Sequence, residues 1–264
     1  GDVYKRQDLL LRTAAESGAM IALANDPDAD RLGVAIPTGD GGWRRLSGDE
    51  IGWLFGDHIL TNTSGDDRLV ITTLVSSSLL AKMAAAHGVH AEETFTGFKW
   101  IGRIATERAA DGQRFVFGYE QALGYLVTDR PLDKDGISAA VLMAEIAACA
   151  EADGVTVQDR LDSIAERFGR YVTGELSVRI PPSVGAEWVA TMQAAPPAEI
   201  GGVAVSTVAS YPEANLVRLV LDNGVRLQVR PSGTEPKVKL YGEAVDLPAE
   251  TLDDLLAALA ELAP

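Results

Sequence analysis

The sequence predicts an α/β fold that gives way to a separate α+β unit near residue 171, and three observations predict it. Strand-like apolar runs alternate with helical patterns from about residue 20 to residue 170, as a parallel sheet with crossover helices requires. Beyond Tyr171-Val172-Thr173-Gly174 the pattern becomes a succession of strands, two of them joined by Asp222-Asn223-Gly224, a strong hairpin signal. The 264 residues, 47% hydrophobic and 23% charged, are globular material with room for about two domains.

In chain order, residues 8–18 read as a helix ended by Gly18. Met20–Ala24 and Leu32–Ile36 read as strands, with an acidic loop between them. Gly39-Asp40-Gly41-Gly42 is a turn. Ser47-Gly48-Asp49-Glu50 opens an apolar helix to about Leu60, with Ser47 as cap and Glu50 three residues on. That capping box accounts for the local charges, so Asp49 and Glu50 are assigned structural roles. Arg68–Leu74 is a β run, followed by Ser76-Ser77-Ser78, an Ala-rich helix to His87-Gly88, and a strand over Val89–Phe95. Arg103–Ala110 is helical, Phe115–Phe117 is a short strand, and Asp135 can cap the long helix Ile137–Ala152. Val157–Arg170 is a last helix of this layer. In the second unit, strands are expected at Glu175–Ile180, Val203–Val208, Leu216–Leu221, Val225–Arg230 and Val238–Glu243. Helices are expected at Gly185–Ala195, stopped by Pro196-Pro197, and at Ala249–Leu262.

The totals exclude several classes. A net charge of −15 and a pI near 4.6 argue against nucleic acid or an anionic membrane surface as partner. The apolar windows are too short or too interrupted to span a bilayer. One cysteine, Cys149, rules out a disulfide framework, and a reducing cytoplasm fits. No signal peptide is visible, no repeat is present, and the chain begins without Met. Gly1–Gln7 does not join smoothly to the helical pattern after it, and the expectation is a fragment whose first residues are not native.

Chemistry concentrates in Asn25-Asp26-Pro27-Asp28-Ala29-Asp30-Arg31. In an extended chain Asp26, Asp28 and Asp30 point the same way. Three carboxylates within about 6 Å repel by roughly 3 kcal/mol per pair at an effective dielectric of ~20. A small hard cation relieves that, and magnesium takes a few carboxylates together with phosphate oxygens. A solvated acidic turn explains the same residues without a metal. An EF-hand does not: counted from Asp26, the obligatory glycine is Arg31 and the bidentate glutamate is Pro37. Lys99, Glu120 and Lys134 each fall at an element boundary. One such residue is an ordinary surface charge, but three in successive strand-to-helix loops can converge on one crevice. There cations suit a phosphorylated ligand and a carboxylate suits sugar hydroxyls. Arg230-Pro231-Ser232-Gly233-Thr234-Glu235-Pro236-Lys237 brings a guanidinium, two hydroxyls and glycine-freed N–H groups, the chemistry of an anion loop. Neither a Walker A nor a dinucleotide fingerprint occurs.

Taken together, these loops resemble those of the α-D-phosphohexomutases, four-domain enzymes that move phosphate between sugar carbons. Asp-Pro-Asp-Ala-Asp-Arg resembles the family's metal loop, and Gly97-Phe98-Lys99-Trp100-Ile101 and Tyr119-Glu120-Gln121-Ala122-Leu123-Gly124-Tyr125 its sugar loops. Asp133-Lys134-Asp135-Gly136 is similar to a nearby lysine loop, and Arg230–Lys237 to the phosphate loop of the last domain. The resemblance implies the end of one α/β domain (1–46), one complete α/β mutase-type domain that binds sugar (47–170), and a C-terminal α+β domain with an antiparallel sheet that binds phosphate (171–264).

The resemblance also implies a mechanism. A phosphoserine passes its phosphoryl group to a sugar phosphate, the bisphosphate turns over in the cleft, and the other phosphate returns to serine. Asp26, Asp28 and Asp30 would hold Mg²⁺, and Arg31 would steady the transferring phosphate. Lys134, and with less support Lys99, would carry a proton or contact phosphate. Gly97, Glu120, Gln121 and Ala122 would bind the sugar, and Arg230, Ser232, Gly233, Thr234 and Lys237 the other phosphate. A glucose 1,6-bisphosphate-type activator and small sugar phosphates are the implied cofactor and partners, together with the missing N-terminal domains of the same chain. Gln121 stands where close relatives often have Glu, and Ala122 where many have Ser, which leaves the sugar open. The aromatic-flanked form of Tyr119–Tyr125 resembles the branch containing phosphoglucomutases and phosphopentomutases. No Thr-Ala-Ser-His-Asn-Pro-type serine loop occurs in the sequence, so these residues alone are expected not to turn over. Two rival readings are a haloacid dehalogenase-type phosphatase with Asp26 as nucleophile and a non-catalytic sugar-phosphate-binding module. The phosphatase pattern wants Thr or Val where this chain has Asp30.

Overall fold

A computed structural model describes residues 2–232 and 235–264, with side chains from residue 9 onward. The chain divides into two compact units, Gly1–Phe168 and Gly169–Pro264.

The first unit holds two sheets. Helix α1 (Asp2–Ser17) packs on a three-stranded antiparallel sheet of β1 (Ala22–Asn25), β2 (Leu32–Pro37) and β3 (Trp43–Arg45). The helix runs back through residues 2–7, which the sequence reading had left outside it. Strands β1 and β2 pair antiparallel, so the acidic loop joins two strands as expected and is a hairpin connection, since so short a loop cannot make a parallel crossover. Strand β3 escaped the pattern reading because its three residues include Arg44 and Arg45. Arg44 donates to Glu50 and Gln158, each at 2.7 Å.

The second sheet has the order β5-β4-β6-β7, from β4 (Arg68–Thr73), β5 (His90–Thr94), β6 (Arg114–Glu120) and β7 (Gly124–Leu126). Strands β5 and β6 both pair with β4 in parallel, as the alternation of elements predicts, and β7 returns antiparallel to β6. Helices α2 (Gly48–Asn62), α3 (Leu79–Ala86), α4 (Phe98–Ala110), α5 (Gly136–Ala152) and α6 (Val157–Phe168) complete the layers. Both expected caps are present. Ser47 and Glu50 form the full capping box of α2, and the Asp135 side chain accepts from the N–H groups of Ile137 and Ser138.

The core of this layer carries polar ties. Phe55, Phe117, Tyr119 and Tyr125 are fully buried and meet edge-on or stacked, with centroids 5.1–6.3 Å apart. Each phenol finds an acceptor at the start of α2. Tyr119 donates to Asp49 Oδ1 at 2.9 Å and Tyr125 to the Gly48 carbonyl at 3.0 Å. Burial first, then the charges of Asp49 and Glu50, hold the Tyr125 phenol well above its ordinary pKa, so it stays a donor. The flanking tyrosines of the Tyr119–Tyr125 stretch are therefore core residues. Asp49 is more than a residue beside a cap, because it is 4% exposed and also accepts the Ser77 N–H at 2.8 Å.

The second unit is a six-stranded antiparallel sheet in the order β8-β13-β12-β11-β10-β9. Its strands are β8 (Tyr171–Val178), β9 (Glu199–Ile200), β10 (Val203–Tyr211), β11 (Leu216–Leu221), β12 (Arg226–Pro231) and β13 (Val238–Val245). Helix α8 (Ala249–Ala260) buries Leu252, Leu255, Leu256 and Leu259, the spacing of one helical face. With Trp188, Val189 and Met192 of α7 (Pro182–Ala194), these leucines share one core with Val217, Leu219, Leu227, Val229 and Leu240 of the sheet.

Asp49→Ala leaves the Tyr119 hydroxyl and the Ser77 N–H without their buried acceptor. It is expected to destabilise the first unit by about 2–4 kcal/mol in urea unfolding, with Asp49→Asn costing less because one oxygen still accepts. An unchanged midpoint for Asp49→Ala would contradict this role.

Candidate functional site

The acidic loop is a turn, not the extended segment expected. Ala29 takes a φ of +58°, and Asp26 Oδ1 accepts the N–H groups of Asp30 and Arg31 at 3.2 Å each. Asp26 Oδ2 lies 3.3 Å from Arg31 Nε, and Asn25 Nδ2 donates to the Arg31 carbonyl at 2.8 Å. Asp28 is exposed. Asp30 is half-buried; its Oδ2 lies 2.8 Å from Lys134 Nζ, while its Oδ1 is buried without a hydrogen-bond partner. Among the described residues, no three His, Cys, Asp or Glu side chains converge into a ready metal cluster. Hard oxygen donors nevertheless occupy the loop, and the orphaned Oδ1 is an acceptor with nothing to accept, so the donor set fits a magnesium-like ion in kind.

This turn is tied to two other loops. The Leu32 N–H donates to the Leu123 carbonyl at 3.1 Å, and Arg31 bridges Gly124. The Asp135 N–H donates to the Tyr125 carbonyl at 2.9 Å, and the Gly136 N–H to the Ala29 carbonyl at 3.1 Å. Gly136 permits that approach, since a Cβ there would lie 2.4 Å from the Arg31 carbonyl oxygen and 2.4 Å from Asn25 Nδ2. Leu123, at φ +67°, shares with Ala29 a left-handed conformation unusual for residues other than glycine. Two such residues in adjoining loops mark a place where the surroundings dictate the backbone.

Glu120 is the last residue of β6 and is buried. Its Oε1 accepts the Gly97 N–H at 2.5 Å. Gly97 precedes α4 with φ +117°, a backbone that favours glycine. Gln121 is half-buried: its N–H donates to Ser76 Oγ at 3.2 Å and its Oε1 accepts from that hydroxyl at 3.3 Å. Ala122 is exposed. Lys99 does not lie in a loop. It stands in the first turn of α4, its ammonium 5.4 Å from the Trp100 ring centroid. Lys134 lies in the loop before α5, and Asp133 Oδ1 is a second carboxylate 3.5 Å from Nζ. Burial pulls the Lys134 pKa down, but the hydrogen bond to Asp30 and the charges of Asp133 and Asp30 outweigh it, and the net shift is upward. Asn25, Ser76 and Gly136 were given no role from sequence, although each lay in a quoted stretch: Asn25 at the head of the acidic loop, Ser76 in Ser76-Ser77-Ser78 and Gly136 in Asp-Lys-Asp-Gly.

In the second unit, Arg230 and Pro231 end β12, with Arg230 opposite Lys239 of β13. The Ser232 N–H donates to the Lys237 carbonyl at 2.8 Å, the Glu235 N–H to Ser232 Oγ at 3.2 Å, and Lys237 Nζ lies 2.7 Å from Glu235 Oε2. The hydrogen bond and charge of Lys237 lower the Glu235 pKa. Gly233 and Thr234 lie outside the described residues. A cavity of about 690 Å³ in the first unit, lined by Met20, Ile36, Pro37, Val155 and Val157 among others, contains none of the residues singled out above. No described helix is long and apolar enough to cross a membrane.

Two family models match the chain: "Phosphoglucomutase/phosphomannomutase, alpha/beta/alpha domain III" over residues 47–168 and "Phosphoglucomutase/phosphomannomutase, C-terminal domain" over residues 188–262. A Haemophilus influenzae protein named "Probable phosphomannomutase" is 38% identical over 260 residues, covering 96% of this chain and 52% of that protein. The Homo sapiens glucose 1,6-bisphosphate synthase is 30% identical over 281 residues, covering 94% of this chain and 45% of that protein. The chain thus spans about half the length of these curated relatives. A crystal structure of a phosphoglucomutase/phosphomannomutase family protein from Burkholderia thailandensis superposes with a TM-score of 0.69 at 21% identity, covering 98% of this chain and 50% of that one.

The hydrogen bond from Lys134 is the largest influence holding the Asp30 carboxyl below its ordinary value of 3.8, with burial opposing it. A carboxyl with a depressed folded pKa adds stability that is complete above its unfolded pKa and is lost as pH falls through the folded one. An NMR carboxyl titration is therefore expected to find the Asp30 midpoint below 3.8 and to see it rise in Lys134→Met. A midpoint at or above 3.8 in the unaltered chain would remove the pairing from solution.

Proposed function

Because the chain belongs to the phosphoglucomutase/phosphomannomutase family of α-D-phosphohexomutases, we propose that it forms the metal, sugar and phosphate loops of a phospho-sugar mutase. The reaction interconverts a hexose 1-phosphate and 6-phosphate, or a pentose 1-phosphate and 5-phosphate, through a phosphoserine enzyme and a sugar bisphosphate. The serine is supplied from outside these 264 residues, and the chain alone does not turn over. Residues 1–46 close the metal-loop domain, 47–170 are the sugar-binding domain and 171–264 the phosphate-binding domain.

One observation supports this reading most strongly: the Asp30–Lys134 pair joins two loops far apart in sequence that also share the backbone hydrogen bond from the Gly136 N–H to the Ala29 carbonyl. Phosphoryl transfer asks a protein mainly for positioning and charge neutralisation. Asp26, Asp28 and Asp30 hold Mg²⁺, which when bound neutralises charge on the phosphoryl oxygens. Arg31 lies beside Asp26 and Asp30 and steadies the transferring phosphate. Glu120, with one oxygen anchored on the Gly97 N–H, accepts from sugar hydroxyls, and Gln121 and Ala122 line the same loop. Lys134, protonated against two carboxylates, gives a proton or a charge to the ligand; Lys99 has the lesser part. Arg230, Ser232, Gly233, Thr234 and Lys237 take the phosphate that is not in transfer, and glucose 1,6-bisphosphate or its analogue primes the serine. Asp26 is poorly disposed to be a phosphatase nucleophile, because Oδ1 accepts two backbone N–H groups and Oδ2 faces Arg31.

The test is to express the full reading frame and assay hexose and pentose 1-phosphates with Mg²⁺. The full-length protein is expected to turn over one or more of them, with kcat/KM reduced roughly 100-fold by Glu120→Gln, a loss near 2.7 kcal/mol. Absence of turnover on every sugar phosphate would overturn the proposal, and turnover by the 264-residue chain alone would overturn its serine.

A further inference from the structure

We infer that Lys134 is an internal counter-ion of the acidic loop that competes with a divalent cation for the Asp30 carboxylate. The inference rests on the metal assignment made under the proposed function. The two oxygens of Asp30 are in unlike states. Oδ2 is engaged by Lys134 Nζ at 2.8 Å, whereas Oδ1 is buried and unpartnered, with Arg31 Nε 3.8 Å away. The ammonium therefore stands against the carboxylate that a metal would need, on one of its two oxygens, and leaves the other open.

Lys134 is better placed for this than Arg31. The arginine side chain is 53% exposed and 3.3 Å or more from its carboxylates, whereas Lys134 is 24% exposed and closer. Its backbone is held by its own N–H on Asp133 Oδ1 at 2.7 Å and by the neighbouring Asp135 N–H on Tyr125. Asp133 Oδ1, 3.5 Å from Nζ, gives the ammonium a second carboxylate to turn to when the first is taken. Without metal, the three aspartates of the turn are offset by two cations, and no metal-ready cluster forms among the described residues. A divalent cation held by Asp30 would repel the ammonium and free it at the same crevice. Metal and phosphate binding would then be coupled through Lys134.

The experiment is a Mn²⁺ titration of the full 264-residue chain, read by electron paramagnetic resonance of the free ion, for the unaltered protein, Lys134→Met and Lys99→Met. Lys134→Met is expected to lower the Mn²⁺ Kd roughly three- to tenfold, the range for loss of a competing, partly exposed ion pair. Lys99→Met removes the same charge from α4 and is expected to leave Kd within about twofold. An unchanged or higher Kd in Lys134→Met overturns the inference while leaving the metal site standing, and equal tightening in both variants reduces it to net charge. No Mn²⁺ binding by any of the three proteins overturns the metal assignment together with the inference. A second readout needs no substitution. Acetic anhydride labelling followed by mass spectrometry is expected to find Lys134 several-fold more reactive in saturating Mg²⁺, with Lys239, paired to Glu175 at 2.8 Å, unchanged as internal reference. Equal labelling of Lys134 with and without Mg²⁺ contradicts the competition.

Discussion

The constraint on which the first unit's candidate site depends is the close approach of the acidic turn and the lysine loop, where Asp30 meets Lys134. Neither loop has regular structure to fix it. The acidic turn hangs between two antiparallel strands, and the lysine loop bridges β7 and α5. Charge alone would not hold them, since a partly exposed pair contributes at most about 1 kcal/mol. The pair persists because the backbones are already laced together through Leu123, Tyr125 and Ala29, and because Gly136 lets α5 begin hard against the turn. The ion pair adds charge balance to a geometry that hydrogen bonds and close packing impose.

Behind these loops stands a rigid support. Strand β6 carries Phe117 and Tyr119 into the core and ends on Glu120, so the carboxylate emerges from a strand whose preceding residues are immobilised. Tyr119 and Tyr125 anchor both sides of the Gln121–Leu123 turn to the start of α2 through Asp49 and Gly48. Those aromatics are part of the scaffold, and their presence in Tyr119–Tyr125 serves to hold the turn.

Much of the fold was legible because periodicity and punctuation agreed. The Ser47 box, the Asp135 cap, the Asn223-Gly224 hairpin and the leucine face of α8 are local signals that tertiary context did not override. What was missed was short or non-local. Strands β3, β7 and β9 have only two or three residues each and exist because a neighbour offers a hydrogen-bonding edge. The acidic loop was read as extended, but Asp26 bonds its own backbone and turns it, the ordinary behaviour of Asp in loops. Lys99 was read as a loop residue because glycine and aromatics obscured the helix start; Gly97, with its positive φ, is where α4 begins. Ser76 could not be found from spacing, since it serves a loop it meets only after folding, whereas Asn25 closes its own loop on the Arg31 carbonyl.

The account's central claim is that loops from several elements act on one phosphorylated sugar. The most direct measurement is a ¹⁵N heteronuclear titration of the chain with glucose 1,6-bisphosphate in the presence of Mg²⁺. The account predicts saturable shifts with one common Kd at the amides of Asp30, Gly97, Gln121 and Lys134. Shifts confined to one loop, different constants for different loops, or none at millimolar ligand would contradict it.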